Sequence, residues 1–515
     1  MERHYKAVLS AIVAIALLST SARAQPSRGD PEPAVAEAAY SEFVRQLDRA
    51  MEEVDATALE KLAAQSKPGI EADLAKGAAL FITGDYAAAL EKLEGWESIE
   101  AEELRRRAQE LNALVSAWQS VFSRLVPVEN DGISIFVPKS QTQWGKLLPL
   151  MIAGWHANYA RYFLVPELPA PPVVFVPDQA ALAALARVPL DAVKKTGTTG
   201  THVLGRIVLL SPSAFPNGYD WSRVLCHEMV HTLLDARVRG KLPHFLDEGI
   251  ATYLEEWGLH GRPKRLSTSQ VALLFMATND GLFLEREALG QPYWQMADAL
   301  GPRIAFLQTL FWVRVLVQRG GTDAIPQLVK AVAEGQPWSE AVQTLTGISV
   351  NAMFAWAKGR WTNVGDRDGL DALLYQQFPE RLDSRDRKRL EQSRKDVLMG
   401  DLLWGRGRPK AALEMYTQAT EALQHTPDLA WRLVRLLLEM QRPEQAEKLA
   451  ERAVQLFPDD ARVLYLNALL RKNKGEKVEA ARLARRAWLV NPFAIETINL
   501  FEELKVHLLD APPEE

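Results

Sequence analysis

The sequence predicts an α+β fold, in which a domain with a small twisted sheet and several helices is flanked by helical regions and followed by a C-terminal solenoid of helical repeats. Three observations support this prediction. Over most of the chain, apolar residues recur three and four positions apart, which is typical of amphipathic helices. Short β-rich runs are concentrated between residues 126 and 210. Beyond residue 393 the sequence repeats itself with a period of 34 residues.

The composition is that of an ordinary globular protein. A chain of 515 residues is too long for one hydrophobic core, which favours several domains. Its 48% hydrophobic and 24% charged residues are typical proportions. The net charge of −5 provides no basic field for a nucleic acid, so we expect no nucleic-acid partner. The single cysteine, Cys226, excludes an intrachain disulfide, and we interpret it as a buried, inert thiol.

Residues 1–24 have the pattern of a secretory signal peptide. Arg3 and Lys6 precede an apolar run from Ala7 to Leu18, and Ala22-Arg23-Ala24 follows as a cleavage site. The run is shorter than the ~20 apolar residues that a membrane span needs. We therefore expect an exported protein, periplasmic or secreted, with no integral membrane span after signal cleavage. An uncleaved N-terminal membrane anchor is the alternative.

After a linker at Gln25–Pro33, residues 34–125 predict an N-terminal helical region. Gly77, Gly84-Asp85-Tyr86 and Ala89 provide the small and turn residues of one tetratricopeptide-like hairpin. A plain helical hairpin fits the same residues equally well, so both interpretations remain open.

Three β-rich runs predict the strands of the sheet: Ile133–Val137, Val173–Val176 and Arg206–Leu210. An amphipathic stretch, about Gln141–Phe163, predicts a helix between the first two strands. The Thr- and Gly-rich segment Lys194–Gly205 predicts a loop or an edge strand beside them.

The residues that indicate chemistry are His227-Glu228-Met229-Val230-His231. Residues i and i+4 of a helix lie on one face, so both imidazoles can reach one metal ion. Glu228 points about 100° round the helix, where it can contact a metal-bound water without binding the metal. Asp220 or Ser222 can cap this helix.

A second segment, Leu242–Glu255, follows as a returning helix with Pro243 in its first turn. Together the two segments resemble the gluzincins, zinc peptidases in which an HExxH helix is followed by a helix reading roughly W-L-x-E-G-x-A-x-Y. The resemblance is closest to the aminopeptidase-like and peptidase MA-like branches and covers about Ile133–Trp361. Two features depart from it: Phe245 replaces the usual tryptophan, and sixteen residues separate His231 from the E-G glutamate.

The resemblance implies a zincin-like catalytic domain, with an α/β subdomain at residues 126–260 and a helical subdomain at residues 261–375. It implies Zn²⁺ as cofactor, held by three metal ligands with one position open, and Glu228 as the catalytic base. The ligands would be His227, His231 and Glu248. The chain lacks a G-A-M-E-N-like exopeptidase motif, which favours an endopeptidase.

Gluzincins also stabilise the oxyanion with a tyrosine or a histidine. Tyr293 and His260 are candidates for this role here. We interpret Tyr253 as a packing residue. Thr252 and Asp235, each one turn after a ligand, are candidates for hydrogen bonds to the metal ligands and equally for plain surface. His202 and His244 read as loop or surface histidines.

The C-terminal period begins at Gly407, and Gln441 and Gly475 follow at intervals of 34 residues. Alanines follow each of them after five and twelve positions: Ala412, Ala446, Ala480, Ala419, Ala453 and Ala487. This pattern resembles the tetratricopeptide repeat, whose paired helices need small residues where they cross. We predict repeats over residues 393–510, with Ile495–His507 as a capping helix.

Together these features predict an exported bacterial zinc endopeptidase acting on an envelope or secreted protein or peptide. Its repeats would recruit the substrate or a protein partner. The alternative is a non-catalytic zincin-fold scaffold that acts through its tetratricopeptide repeats. Because repeat units contact mainly their neighbours, we expect the solenoid to be separable from the catalytic domain near Arg385.

Overall fold

The computed structural model describes residues 31–96, 101–130, 133–263, 266, 268–296, 300–359, 382–423 and 426–505. The predicted signal peptide, residues 1–24, lies outside the described residues. The chain divides into two compact units, Met1–Asn112 and Ala113–Glu515. Each unit is described by itself below.

The first unit is helical, as predicted for this region. Its helices are α1 Pro31–Glu52, α2 Ala56–Gln65, α3 Ile70–Thr83, α4 Tyr86–Leu93 and the beginning of α5 Glu102–Phe122. Helices α3 and α4 form a hairpin, because Gly84 ends α3 in a left-handed conformation and Asp85 caps α4 through the backbone N–H of Ala88. Gly77 allows the two helices to lie close, since a Cβ at that position would be 2.9 Å from Leu93.

The second unit contains a five-stranded mixed sheet with strand order β1-β2-β3-β5-β4. Its strands are β1 Leu125–Asn130, β2 Ile133–Pro138, β3 Val173–Val176, β4 Gly200–Val203 and β5 Arg206–Leu210. Strands β2, β3 and β5 are parallel, whereas β1 and β4 pair antiparallel at the two edges. The three predicted strands are thus confirmed, and the Thr- and Gly-rich segment contributes an edge strand. The sequence did not predict strand β1. Its Pro127 is tolerated because β1 is an edge strand.

Helices cover the sheet and extend beyond it. Those that precede the repeats are α6 Thr142–Gly145, α7 Leu148–Tyr162, α8 Gln179–Ala186, α9 Leu190–Thr196, α10 Trp221–Val238, α11 His244–Leu254, α12 Trp257–His260, α13 Thr268–Asn279, α14 Arg286–Leu289, α15 Leu300–Gly320, α16 Ala324–Ala333, α17 Trp338–Thr346 and α18 Val350–Gly359. Asp220 begins α10 by accepting a hydrogen bond from the backbone N–H of Arg223, as the sequence predicted. Strands β3 and β5 are buried along their whole length, as expected for parallel strands with both faces covered.

Helix α15 is the central helix of the region after α12. It is long and apolar enough to cross a membrane, but 67% of its most apolar stretch is buried inside the protein, as in a core helix. It packs against α11, and Gly249 makes this packing possible. A Cβ at Gly249 would lie 2.7 Å from the backbone oxygen of Thr309 and 2.8 Å from the Val313 side chain.

The C-terminal region contains three helical hairpins and a final helix. The pairs are α19 Ser384–Gly405 with α20 Pro409–Leu423, α21 Pro427–Glu439 with α22 Pro443–Leu456, and α23 Ala461–Asn473 with α24 Lys477–Val490, followed by α25 Ile495–Leu504. The six periodic alanines are fully buried, as close helix crossings require: Ala412, Ala419, Ala446, Ala453, Ala480 and Ala487. The predicted repeats and the helix that follows them are therefore present.

The third hairpin does not behave as a separate module, contrary to our expectation of a boundary near Arg385. Most of its buried hydrophobic residues belong to the same hydrophobic core as the sheet and α10. The backbone N–H of Tyr219 donates to the Val490 carbonyl over 3.0 Å, and the rings of Trp221 and Trp488 lie 6.4 Å apart, edge to face. The repeats therefore pack against the sheet domain through their third hairpin.

Candidate metal centre

Three side chains converge where helices α10 and α11 face each other. The Nε2 atoms of His227 and His231 are 3.1 Å apart. The Oε2 atom of Glu248 lies 3.3 Å from the first nitrogen and 3.6 Å from the second. Zinc bonds to nitrogen and oxygen are ~2.0–2.2 Å, so two ligands of a tetrahedral zinc lie about 3.3–3.5 Å apart. The three atoms therefore have the spacing of ligands around one such ion.

The donor set also fits a cation for an electrostatic reason. The Oε2 atom of Glu248 is buried, and among the described residues it has no hydrogen-bond partner of acceptable geometry. A buried carboxylate oxygen without a partner is costly, and a cation between the imidazoles would satisfy it. Histidine, histidine and carboxylate with an open fourth position is the ligand set of a catalytic zinc site.

Two carboxylates orient the imidazoles by contacting their Nδ1 atoms. The Nδ1 of His231 donates to Asp247 over 2.8 Å, and the Nδ1 of His227 lies 3.4 Å from Glu255. These bonds turn both Nε2 atoms towards Glu248 and make the imidazoles better metal ligands.

The groups that contact the two imidazoles are not Thr252 and Asp235, the candidates that the sequence suggested. Thr252 is buried, and its hydroxyl has no hydrogen-bond partner among the described residues. Asp235 instead lies 3.6 Å from His202. Sequence spacing contained one usable signal, because Glu255 follows Glu248 by seven residues, two helical turns, and therefore lies on the same side of α11.

Burial and mutual charge determine the protonation of the cluster. Burial lowers the pKa of His227, but the nearby carboxylates of Glu248 and Glu255 outweigh this and raise the pKa to about 9. Burial likewise opposes the charge of His231, whereas Asp247 and Glu248 raise its pKa well above the usual value. Burial raises the pKa of Glu248, but His231 and His227 hold it well below its usual range. In the absence of metal, the carboxylates thus favour protonation of the two imidazoles, and a metal cation would take the place of protons on their Nε2 atoms.

Glu228 lies beside this cluster rather than within it. Its side chain is buried on α10 next to the edge strand β4, where the backbone N–H of His202 donates to its carboxylate. Burial raises the pKa of Glu228, while the imidazoles of His227 and His231 act in the opposite direction. The residue therefore has an orientation and an electrostatic environment distinct from those of the three converging side chains.

The remaining sequence candidates have different outcomes. Tyr293 is buried beside the cluster, with its ring 4.7 Å from that of His244, and Glu248 adds to burial in raising its pKa. The side chain of His260 lies outside the described residues. Tyr253 packs against the hydrophobic core, as expected. Cys226 is fully buried, and burial raises the pKa of its thiol well above the usual value, in accord with an inert role.

A cleft of about 870 Å³ opens onto the three converging side chains. His202 and His244, interpreted from the sequence as loop or surface residues, both line it. One side is formed by β4 and the segment before it, and another by Tyr293 and Phe306. The third side comes from the repeats, where Pro427 and the turn 456–460 face the cleft.

Comparison with known proteins identifies the repeats. The tetratricopeptide repeat family profile matches residues 403–470. Among solved structures, the crystal structure of the P58(IPK) TPR domain is similar at 13% identity, covering 85% of this chain and 97% of that one, with a TM-score of 0.22. At that TM-score the likeness supports no structural conclusion. No curated protein matches the chain. The C-terminal helices thus contain tetratricopeptide repeats, which are typical surfaces for binding proteins.

Proposed function

We propose that the protein is a zinc metallopeptidase of the gluzincin type, in which His227, His231 and Glu248 hold a catalytic Zn²⁺. The observation that carries the proposal is the spacing of 3.1, 3.3 and 3.6 Å among their three facing atoms. The outer carboxylates Asp247 and Glu255 support it, because metal-binding histidines usually donate their second N–H to such groups.

The reaction proposed is hydrolysis of a peptide bond. A zinc ion held by His227, His231 and Glu248 would lower the pKa of a bound water and polarise the substrate carbonyl. Glu228 takes the proton of the attacking water and passes it to the leaving amine. Its raised pKa suits this exchange, because a base works best when its pKa approaches the working pH. Tyr293 is the proposed donor to the oxyanion, since it is the described tyrosine that lines the cleft beside Glu248.

The cleft favours a polypeptide substrate. Edge strand β4 lies along it and can pair with an extended chain, which is a general mode of peptide binding. We propose an endopeptidase that acts on an exported or envelope protein and receives its substrate or a protein partner through the tetratricopeptide repeats. The alternative is a scaffold acting through the repeats alone, which the family match at residues 403–470 favours.

Zinc content and peptide hydrolysis test the proposal together. Wild type should carry about one zinc per chain and cleave an unfolded protein substrate. His231→Ala should lose zinc, whereas His156→Ala, which removes another buried histidine of the same unit, should retain it. Equal zinc in wild type and His231→Ala would refute the metal site. A wild type that binds zinc but leaves unfolded proteins and whole envelope extracts uncleaved would favour the scaffold.

A further inference from the structure

The repeats approach the candidate metal centre through the turn between the second and third hairpins. The turn 456–460 connects α22 to α23 and forms part of the cleft wall. Its Asp459 accepts a hydrogen bond of 2.7 Å from the Arg223 guanidinium on α10. Asp459 is 236 residues away from Arg223 in sequence, so only the docking of the repeats brings the two together.

Arg223 connects this turn to a metal-binding histidine. Its Nε lies 3.4 Å from Oε1 of Glu255, and Oε2 of the same carboxylate lies 3.4 Å from Nδ1 of His227. The Arg223 and Glu255 side chains are only 21% and 8% exposed, so solvent screens these contacts weakly. A continuous path of charged groups thus runs from the repeats to His227.

We propose that Asp459 is a positioning residue for the metal centre, acting through Arg223 and Glu255 on the imidazole of His227. This inference rests on the proposed function. Asp459 offsets part of the Arg223 charge and fixes its guanidinium, which limits the attraction of Arg223 for Glu255 and preserves the contact between Glu255 and His227. Without Asp459, Arg223 would interact more strongly with Glu255 and weaken that bond. The repeats are then a structural part of the active site as well as a surface for recruitment.

The matched control is Asp401, in the first hairpin. Its side chain is 37% exposed, as is that of Asp459, and it accepts from Arg432 over 2.8 Å. It is absent from the lining of the cleft and belongs to α19. Both variants therefore remove an aspartate of the repeats that pairs with an arginine, but only Asp459 contacts Arg223.

The experiment measures the zinc dissociation constant by competition with a chromogenic chelator. Removing a direct carboxylate partner of a metal-binding histidine typically costs about 10- to 100-fold in metal affinity. Asp459→Asn acts two contacts further away, through Arg223 and Glu255, so we expect about 3- to 10-fold weaker binding. Asp459→Glu should restore most of the affinity, and Asp401→Asn should match wild type. Unchanged affinity in Asp459→Asn, or an equal loss in Asp401→Asn, would overturn the inference.

A second measurement separates this inference from the proposed function. In metal-free protein, the Tm losses of Asp459→Asn and Glu255→Gln should not add, because both act on one path of contacts. Additive losses would contradict the path. Failure of the wild type to bind zinc would refute the proposed function, and the Tm measurements would then decide on their own whether the repeats are coupled to Glu255.

Discussion

The packing of α11 on α15 makes Gly249, the neighbour of the proposed ligand Glu248, sensitive to substitution. An alanine there would place its Cβ 2.7 Å from the backbone oxygen of Thr309, where a normal contact is about 3.4 Å. The obstacle is backbone and cannot rotate away, so α11 must shift by several tenths of an ångström. Overpacking of this kind costs about 1–3 kcal/mol, against a helix-propensity gain of about 1 kcal/mol. We therefore expect Gly249→Ala to lose up to about 2 kcal/mol of unfolding free energy.

Gly154 provides the matched control, because it is a helical glycine in α7 whose added Cβ would meet no described atom within 4 Å. Gly154→Ala should gain about 0.5–1 kcal/mol, so the two variants should differ by about 1–3 kcal/mol in urea unfolding. Gly249→Ala should also bind zinc more weakly, since the shift moves the adjacent Glu248. If Gly249→Ala were as stable as Gly154→Ala and bound zinc like wild type, the close packing of α11 on α15 would be wrong.

Three further predictions concern the base, the protons and the docking of the repeats. Glu228→Gln should retain zinc and Tm but lose about 10²-fold or more in peptide hydrolysis, because it lacks the proton acceptor; full activity would exclude Glu228 as the base. His227 has a pKa raised to about 9 in the folded metal-free protein, above the ~6.5 of an unfolded chain, so the folded state binds more protons. Its contribution to stability is complete below pH ~6.5 and is lost as the pH rises through about 9, so the metal-free Tm should fall over that range, and less so in His227→Gln. Gly218→Ala would place a Cβ 2.2 Å from the Val490 carbonyl oxygen, and should lower Tm and increase proteolysis of the third hairpin; unchanged protection would contradict the docking.

Local patterns in the sequence were sufficient to predict the elements that carry the three converging side chains. The spacing of His227 and His231 is a property of one helix, and each β-rich run can be recognised within five consecutive residues. Strand β1 was not predicted, because Pro127 argues against a strand unless its edge position is known.

The outer contacts of the site were harder to predict, because they depend on where separate elements meet. Asp247 reaches His231 only through the angle between α10 and α11, which a sequence pattern does not encode. His202 contacts Glu228 because β4 packs on α10, and in the sequence it is an isolated histidine within a Thr- and Gly-rich segment. Such positions are specified by tertiary packing, so a single sequence reveals the proposed ligands more readily than the groups that orient them.

The docking of the repeats is the extreme case of this rule. Tetratricopeptide units are recognised from contacts between neighbouring helices, and that recognition suggests a stack that stands alone. The third hairpin nevertheless shares its core with the sheet domain, and Asp459 pairs with Arg223 beside the cluster of His227, His231 and Glu248. A partner that binds the repeats and shifts the turn 456–460 would therefore alter the cleft wall and the outer contacts of His227 together. Under the proposed function, the contacts between the repeats and α10 would connect recognition and chemistry within one folded unit.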